Sequence, residues 1–379
     1  MHDGLSSSVY VLLPILAQHF SLGFSQIGLI RAVYTGAMWL LEIPAGILSE
    51  RLGERRLLVL GIIGSGIGFF AVSITEGYYG ILLALFVAGC GAAFQHSLCS
   101  SLISKSFGEP ERRIALGSYN ASGDAGKLAF TLAASLLLGI GLGWQTITLG
   151  YGLLAFAVAL TIWILLGVKS AGKLSAIKLK ETAGINSWGI KDRLGFTNLA
   201  GIVFLDSLIQ DGFLVFITFV MIEKQVTTGL VAFAVVATLS GGICGKFAGG
   251  LLAARIGVIR SIVLFELLTA IGIMLVFYAP GNIPFFLLPL VGVFLQGSSS
   301  ITYGTVSNLV HTKHQSRGFS IIYTIVNSAS FVGPAIFGLI IDLLGFKVMM
   351  MIMATLVLVT LPLCYLLKSA LERIQSSIR

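Results

Sequence analysis

Long apolar runs separated by short polar connections are repeated along the whole chain of 379 residues. Most of the runs approach the ~20 residues that an α-helix needs to cross the hydrocarbon core of a bilayer. The pattern therefore predicts an all-α polytopic membrane protein. Its twelve predicted spans lie near residues 9–20, 27–48, 57–75, 79–101, 114–138, 146–167, 196–221, 229–252, 261–279, 283–308, 318–341 and 348–367.

The first span is shorter than the others. Only Val9–Phe20 is mainly apolar, whereas a complete span needs about 20 residues. We interpret His2-Asp3-Gly4 as the middle of a helix whose first half is missing. Either the start codon was assigned too late, or the chain begins with a half-span.

The charged residues define the topology and exclude two classes of protein. With 56% hydrophobic and 11% charged residues and a mean hydropathy of +0.97, the chain is not a soluble domain. The net charge of +8 does not indicate nucleic-acid binding, because 19 of the 24 Lys and Arg residues fall in loops on one side. The opposite loops hold only Lys224 and Lys347. This asymmetry predicts a multi-pass protein of the cytoplasmic (inner) membrane of a bacterium, with both termini in the cytoplasm.

An internal repeat divides the chain into two halves. The stretch Gly46–Arg56 returns 204 positions later as Gly250–Arg260, with matching Gly, Leu and Arg positions. The same offset relates Tyr119 to Tyr323, which indicates a duplication. The predicted organisation is an N-terminal six-helix half over 1–167, a basic cytoplasmic linker over 168–194 and a C-terminal six-helix half over 195–379.

The first copy of the repeat resembles the loop between helices 2 and 3 of the major facilitator superfamily. That loop has the pattern Gly-x-Leu-Ala/Ser-Asp-Arg-x-Gly-Arg-Arg/Lys, and here Glu50 replaces the Asp and Glu54 the following Arg. The resemblance implies a major-facilitator-type fold with twelve transmembrane helices in two pseudo-symmetric halves. It also implies a secondary active transporter that works by alternating access. In that family the acidic residue helps to lock the halves together on the cytoplasmic side, a role that would fall to Glu50.

A narrower resemblance is to the fosmidomycin-resistance type of drug:proton antiporter. Asp3, Pro14 and the stretch Phe20–Gly28 keep the spacing of its first helix, although His2 replaces an Asn. His96 matches a family His, but Ser97 and Leu98 replace the Pro-Glu that follows it. This resemblance implies proton-coupled efflux of a small organic solute or drug. Uptake of a metabolite or anion by proton symport is the alternative, and a non-transporting sensor or scaffold is an alternative of another class.

The repeated loops and their helix ends form the predicted cytoplasmic gate. Glu42 and Lys246 occupy equivalent positions in the two halves, so they either form a direct gate pair or each satisfy a separate partner. Gly53 is expected to adopt positive φ in the turn. The predicted gate comprises Glu42, Gly46, Glu50, Arg51, Gly53, Lys246, Gly250, Arg255 and Gly257.

Polar residues inside the spans are the candidates for a solute cavity and a proton route. Asp124 and Lys127 are three residues apart, hence neighbours on one helix face. Asp206 and Asp211 are five apart, about 140° around a helix, so they should face different surroundings. The proton-coupling candidates are Asp3, Asp211 and Asp124. The substrate-cavity candidates are His96, Asn120, Lys127 and Asp206, with packing as the alternative role for His96.

The number of buried charges supports a functional role for most of them. Each costs roughly 2.5–3.5 kcal/mol at the centre of a membrane. Eight would cost on the order of 20–28 kcal/mol, against the ~5–15 kcal/mol by which a protein is typically stable. Most must therefore line a cavity, pair, or remain protonated. The eight are Asp3, Glu42, Asp124, Lys127, Asp206, Asp211, Lys246 and Glu266.

Several classes of chemistry lack a signal in the sequence. There is no phosphate loop, metal-ligand cluster or nucleophile elbow, so no enzyme activity, cofactor or metal is predicted. The four cysteines lie singly in apolar spans and show no disulfide spacing. The expected partners are a small-molecule solute, H⁺ and the lipid bilayer. Because one chain contains both halves of the transporter, a monomer is expected to be the functional unit.

Overall fold

The computed structural model describes residues 1–107, 111–169, 189–311 and 315–378. Within those ranges the chain forms thirteen α-helices, and the backbones of Ile190 and Val310 form an isolated β-bridge. The helices are α1 (His2–Phe20), α2 (Phe24–Leu52), α3 (Glu54–Ser73), α4 (Tyr78–Ala92), α5 (Gln95–Ser106), α6 (Glu111–Gly139), α7 (Trp144–Lys169), α8 (Arg193–Glu223), α9 (Thr228–Val231), α10 (Ala234–Ile256), α11 (Val258–Tyr278), α12 (Ile283–Leu309) and α13 (Gln315–Ile378).

The helices follow the predicted spans with three differences. Helix α1 begins at His2, so the polar residues before Val9 are already helical. The predicted fourth span breaks at Ala93 and Phe94, between α4 and α5. The predicted span 229–252 is broken at Ala232 and Phe233, between α9 and α10. The last two predicted spans are the two arms of α13, which are separated by the non-helical Gly345 with φ of 80°.

Length and composition agree with a membrane protein. Seven of the described helices are long and apolar enough to cross a bilayer, with Gly318–Arg373 of α13 counted as one. Large apolar side chains are exposed on the outside of the bundle, including Leu83 (66%), Leu165 (62%) and Phe286 (69%). Such side chains are suited to contact with lipid. Most of the predicted linker lies outside the described residues, although residues 168–169 end α7 and Asp192 caps α8.

The duplication is visible in the backbone. Six of the eight described residues with positive φ form pairs that are 204 positions apart: Ser21 with Gln225, Gly53 with Gly257, and Gly141 with Gly345. Each pair reverses the chain at corresponding helix ends. The positive φ expected at Gly53 is confirmed at 84°, and that of Gly257 is 94°. Glycine adopts this conformation without the steric cost that a Cβ would add.

The two halves meet along a surface that we call the seam. On it, α1, α2 and α6 of the N-terminal half (α1–α7) face α8, α10 and α13 of the C-terminal half (α8–α13). Helix α2 packs closely against α13: a Cβ on Gly28 would lie 2.1 Å from the Pro334 carbonyl oxygen. The Thr35 hydroxyl also donates to the Ser330 carbonyl at 3.0 Å. We call the two ends of the molecule the Gly53 end, with the Gly53 and Gly257 turns, and the Asp342 end.

The Asp342 end of the seam is held by a cap that one half provides to the other. Helix α2 begins after Gly23, which has no side chain to accept from the first free N–H groups of the helix. The carboxylate of Asp342 on α13 accepts from Phe24 N at 3.0 Å and from Ser25 N at 2.7 Å. The Phe24 ring packs edge-on against Phe219 and Phe346 of the opposite half. This end of the seam is therefore closed.

We expect Asp342→Ala to open this end more often, because two helix N–H groups lose their acceptor. The reporter is Phe216→Cys, at a side chain that is fully buried, on a background without the four native cysteines. A water-soluble maleimide should label this cysteine faster in the Asp342→Ala protein in detergent. Glu76→Ala, which removes an exposed acid at the same end, is the matched control. Equal labelling rates in all three proteins would show that the cap does not hold the seam.

A second carboxylate ties α8 to the end of α13. Asp192 caps α8 by accepting from Gly195 N at 2.7 Å, and it accepts from Arg373 Nη2 at 2.8 Å. The Gly195 N–H, and after it the Arg373 guanidinium, hold the pKa of Asp192 below its ordinary value of 3.8. The charged carboxylate therefore stabilises the folded protein above pH 3.8, and this contribution disappears as the pH falls through the lowered pKa.

We expect Asp192→Asn to lower the Tm in detergent near pH 7, because Asn can cap the helix but cannot pair with Arg373. The Tm difference from the wild type should shrink as the pH is taken below 3.8. Thermal unfolding of both proteins across this range is the measurement. A difference that stays constant with pH would contradict the assignment to charge.

Candidate functional site

Asp3 lies between two histidines in the N-terminal half. Its Oδ1 is 3.3 Å from His96 Nε2, at the start of α5, and 3.9 Å from His2 Nε2, on its own helix. The side chain fits here because Gly123 on α6 has none: a Cβ on Gly123 would lie 2.4 Å from Asp3 Oδ2. The structure thus joins the proton-coupling candidate Asp3 to the cavity candidate His96, whose side chain is 40% exposed.

Asp211 of the C-terminal half lies against the N-terminal half. The Tyr10 hydroxyl donates to its Oδ1, and Arg31 Nη2 lies 3.9 Å from the same oxygen. Arg31 in turn donates to the Tyr10 hydroxyl at 2.7 Å and to Ser6 O at 3.0 Å. The guanidinium carbon also lies 4.3 Å from the centre of the Tyr10 ring, a distance typical of a cation–π contact.

Neither Tyr10 nor Arg31 is among the residues selected from the sequence. Arg31 is 5% exposed and sits inside a membrane span, where a charge indicates a functional site by default. That charge was the available signal. The sequence gives no such signal for Tyr10, because a tyrosine among apolar residues can serve either in a hydrogen bond or in packing.

Asp124 joins the halves at a second point of the seam. Its Oδ1 accepts from Lys127 at 3.1 Å, which confirms that the two residues are neighbours on α6. Lys246 of α10 donates to the same carboxylate at 2.7 and 2.8 Å. One carboxylate therefore receives two ammonium groups, one from each half. Asn120 lies one turn before Asp124 and is exposed, so solvent reaches this part of the seam.

The predicted gate residues Glu42 and Lys246 have separate partners. The Glu42 carboxylate accepts from the side-chain amide of Asn327 on α13 at 2.6 Å, whereas Lys246 pairs with Asp124. Positions 42 and 246 are related by the 204-residue offset, and so are 123 and 327. Each residue thus reaches across the seam to nearly the same place in the opposite half. The two contacts are pseudo-symmetric copies with different chemistry.

The remaining gate residues lie at the Gly53 end. Gly250 has open space where a Cβ would project, and Arg255 is exposed. Gly46, Glu50 and Arg51 belong to α2, but their surroundings lie outside what the structure describes. The locking role that the sequence implies for Glu50 therefore stays a prediction.

Asp206 occupies a different environment from Asp211, as their spacing predicts. Its Oδ2 accepts from the Ser298 hydroxyl at 2.7 Å, and its side chain is buried between α8 and α12. Glu266 of α11 is 1% exposed, and it lies close enough to Asp206 for the two carboxyls to interact. Both are therefore embedded in the C-terminal half, whereas Asp211 lies at the seam.

Charges of both signs lie at the seam or beside it. Carboxylates come from Asp3, Glu42, Asp124 and Asp211, and cations from Arg31, Lys127 and Lys246. Three metal-ligating groups also come together: one ligand atom each of His2, Asp3 and His96 lie within 4.8 Å of one another. The sequence predicts no such cluster, because His2 and His96 belong to helices far apart in the chain.

Comparisons with known proteins identify the family. A model of the Major Facilitator Superfamily matches residues 3–198 and again residues 199–377. The uncharacterized MFS-type transporter YfnC of Bacillus subtilis (strain 168) is 24% identical over 321 residues, which cover 83% of this chain and 77% of that protein. An uncharacterized transporter of Buchnera aphidicola subsp. Schizaphis graminum is 30% identical over 103 residues, or 26% of each chain.

A solved structure has the same fold. The bacterial homolog of the human lysosomal transporter Spinster, in an inward-facing and unoccupied conformation, superposes with a TM-score of 0.83 at 15% identity. The match covers 98% of this chain and 95% of that one. Together with the all-helical architecture, the matches over both halves show that the chain belongs to the major facilitator superfamily, as a multi-pass membrane transporter and not an enzyme.

Proposed function

We propose that the protein is a proton-coupled antiporter that exports a small organic solute from the cytoplasm. The resemblance of its first helix to fosmidomycin-resistance antiporters favours this direction, and the distribution of Lys and Arg favours a cytoplasmic Gly53 end. Uptake by symport and a non-transporting role remain as outcomes that the experiment below distinguishes.

One observation carries the proposal: carboxylates form the bridges between the two halves. Asp124 binds Lys246, and Asp211 accepts from Tyr10 beside Arg31. Alternating access requires the halves to move against each other around a central site. Protonating either carboxylate removes its negative charge and weakens its attraction to the cation across the seam. A proton would thus favour the state in which the bridge is broken, which couples its binding to the movement.

The other candidates fit around these two bridges. Asp3 and His96 form a carboxylate–imidazole pair next to the seam, a combination able to take up and release a proton. Asn120 and Lys127 lie beside Asp124 and would contact the solute. Asp206, next to Ser298, would contribute from within the C-terminal half. Glu42 with Asn327, and Lys246 with Asp124, would act as gate contacts that part as the halves rotate.

The transport experiment uses inside-out vesicles that hold a proton gradient followed by a pH-sensitive dye. A panel of organic solutes is added to vesicles with wild type, Asp211→Asn, Asp124→Asn or Asp3→Asn. We expect one or more solutes to collapse the gradient in wild type. The response should be lost in Asp211→Asn and Asp124→Asn, because an amide cannot be protonated at this pH and cannot exchange a proton for the solute.

Glu223→Gln is the matched control, because it removes an exposed acid from the same helix as Asp211. Solute-dependent proton movement that appears only in right-side-out vesicles would replace export with uptake. The absence of a response to a broad panel in both orientations would favour a non-transporting role. A response that survives all three substitutions would retain antiport and contradict the residue assignment.

A double-mutant cycle tests the Asp124–Lys246 bridge independently of any solute. We expect Asp124→Asn to lower the Tm in detergent, because Lys127 and Lys246 would then face each other without a carboxylate between them. Lys246→Met should remove part of that repulsion, so the double variant should lose less stability than the two single variants combined. A coupling of about 0.5–3 kcal/mol is typical of residues in contact. Additive losses would contradict a direct bridge.

A further inference from the structure

We propose that His2, Asp3 and His96 form a binding site for a divalent first-row transition-metal ion of the zinc class. The cluster lies in the N-terminal half, where α1, α5 and α6 meet. This inference goes beyond the proposed antiport and does not depend on it, since it concerns the binding of a cation whether or not any solute is moved.

The distances between the ligand atoms suit a small metal ion. In a tetrahedral zinc site with bonds of about 2.0 Å, neighbouring ligand atoms are about 3.3 Å apart. His96 Nε2 lies 3.3 Å from Asp3 Oδ1, and His2 Nε2 lies 3.9 Å from the same oxygen. The two imidazole rings meet edge to face, with centroids 5.1 Å apart. A small inward movement of His2 would complete the triangle.

His2 supplies an independent reason to expect a ligand. Its side chain is 10% exposed, and neither Nδ1 nor Nε2 has a hydrogen-bond partner. Buried polar nitrogens without partners are rare, because they lose their hydration without compensation. A metal ion bound between His2 and Asp3 would provide the missing partner. Asp3 itself is held in place by the narrow space against Gly123.

The kind of ligand indicates the kind of metal. Two imidazoles and one carboxylate suit Zn²⁺, Co²⁺ or Ni²⁺, whereas Mg²⁺ and Ca²⁺ prefer oxygen ligands only. Three protein ligands leave at least one coordination position free, as in sites where the ion exchanges or meets another molecule. The side chain of His96 is 40% exposed, so solvent can reach the cluster. The site is therefore expected to exchange its ion.

Lys127 limits the affinity. Its ammonium group lies close enough for its charge to act on Asp3 and His2, which opposes the binding of a cation. Asp124 offsets part of that charge at 3.1 Å. Removing the Lys127 charge should consequently tighten metal binding, a direction that would not follow if the histidines served only to pack α1 against α5.

The experiment titrates the full chain with CoCl₂ and follows the visible absorption of bound Co²⁺. The protein is purified in detergent through a C-terminal affinity tag without histidines, and residual metal is removed with a chelator. We expect one Co²⁺ per chain, displaced by Zn²⁺, and a rise in Tm with added metal. His2→Ala, His96→Ala and Asp3→Asn should each weaken binding by at least about tenfold, and Lys127→Met should strengthen it.

His311→Ala is the matched control, because it removes an exposed histidine that does not belong to the cluster and should leave the titration unchanged. The metal-induced shift in Tm is measured on the wild-type protein, so it tests the site even if a variant folds poorly. Three results would overturn the site: no absorption and no Tm shift in wild type, unchanged binding in both His2→Ala and His96→Ala, or an equal loss in His311→Ala.

Discussion

The carboxylate of Asp124 accepts hydrogen bonds from two ammonium groups, Lys127 of its own helix and Lys246 of the opposite half. This arrangement meets a requirement that applies to every charge buried in a membrane bundle, namely that it must find a partner or become neutral. Here the partners come from different halves, so the contacts that satisfy the charges also hold the halves together. Removing one partner of a buried pair typically costs about 3–5 kcal/mol of stability. A change at one such bridge therefore alters how strongly the two halves are held together.

The duplication gives the two sides of the seam the same backbone geometry, but the interactions made at equivalent positions differ in strength. Glu42 and Lys246 occupy equivalent positions, and each reaches across to the opposite half. One contact joins a carboxylate to an amide, and the other joins a carboxylate to an ammonium group. Only the second is a pair of opposite charges, so protonation of its carboxylate would remove an attraction that the first contact lacks. Two contacts at equivalent positions of the fold thus differ in their charges, although their packing is the same.

Close backbone packing makes the seam possible on the side of α2 and α13. Gly28 approaches the Pro334 carbonyl, and Gly338 approaches that of Phe24, so closely that a Cβ at either glycine would collide. At the end of this contact the Asp342 carboxylate caps α2 from the opposite half. Helix capping is usually local, but here it joins two halves. The cap, the glycines and the aromatic cluster around Phe24 therefore act as one closure.

The sequence by itself determined the membrane class, the spans, the duplication and the local geometry. Apolar length, loop charge and the 204-residue offset depend only on the order of residues, as do the positive φ at Gly53 and the adjacency of Asp124 and Lys127. The tertiary structure alone decided which charges meet. Tyr10 with Asp211, Asp124 with Lys246, Asp342 with the start of α2, and His2 with His96 are contacts between helices far apart in the chain. The 204-residue offset shows which positions of the two halves are equivalent. Which side chains meet depends on how each helix is rotated and packed, and the periodicity of the sequence does not encode this orientation.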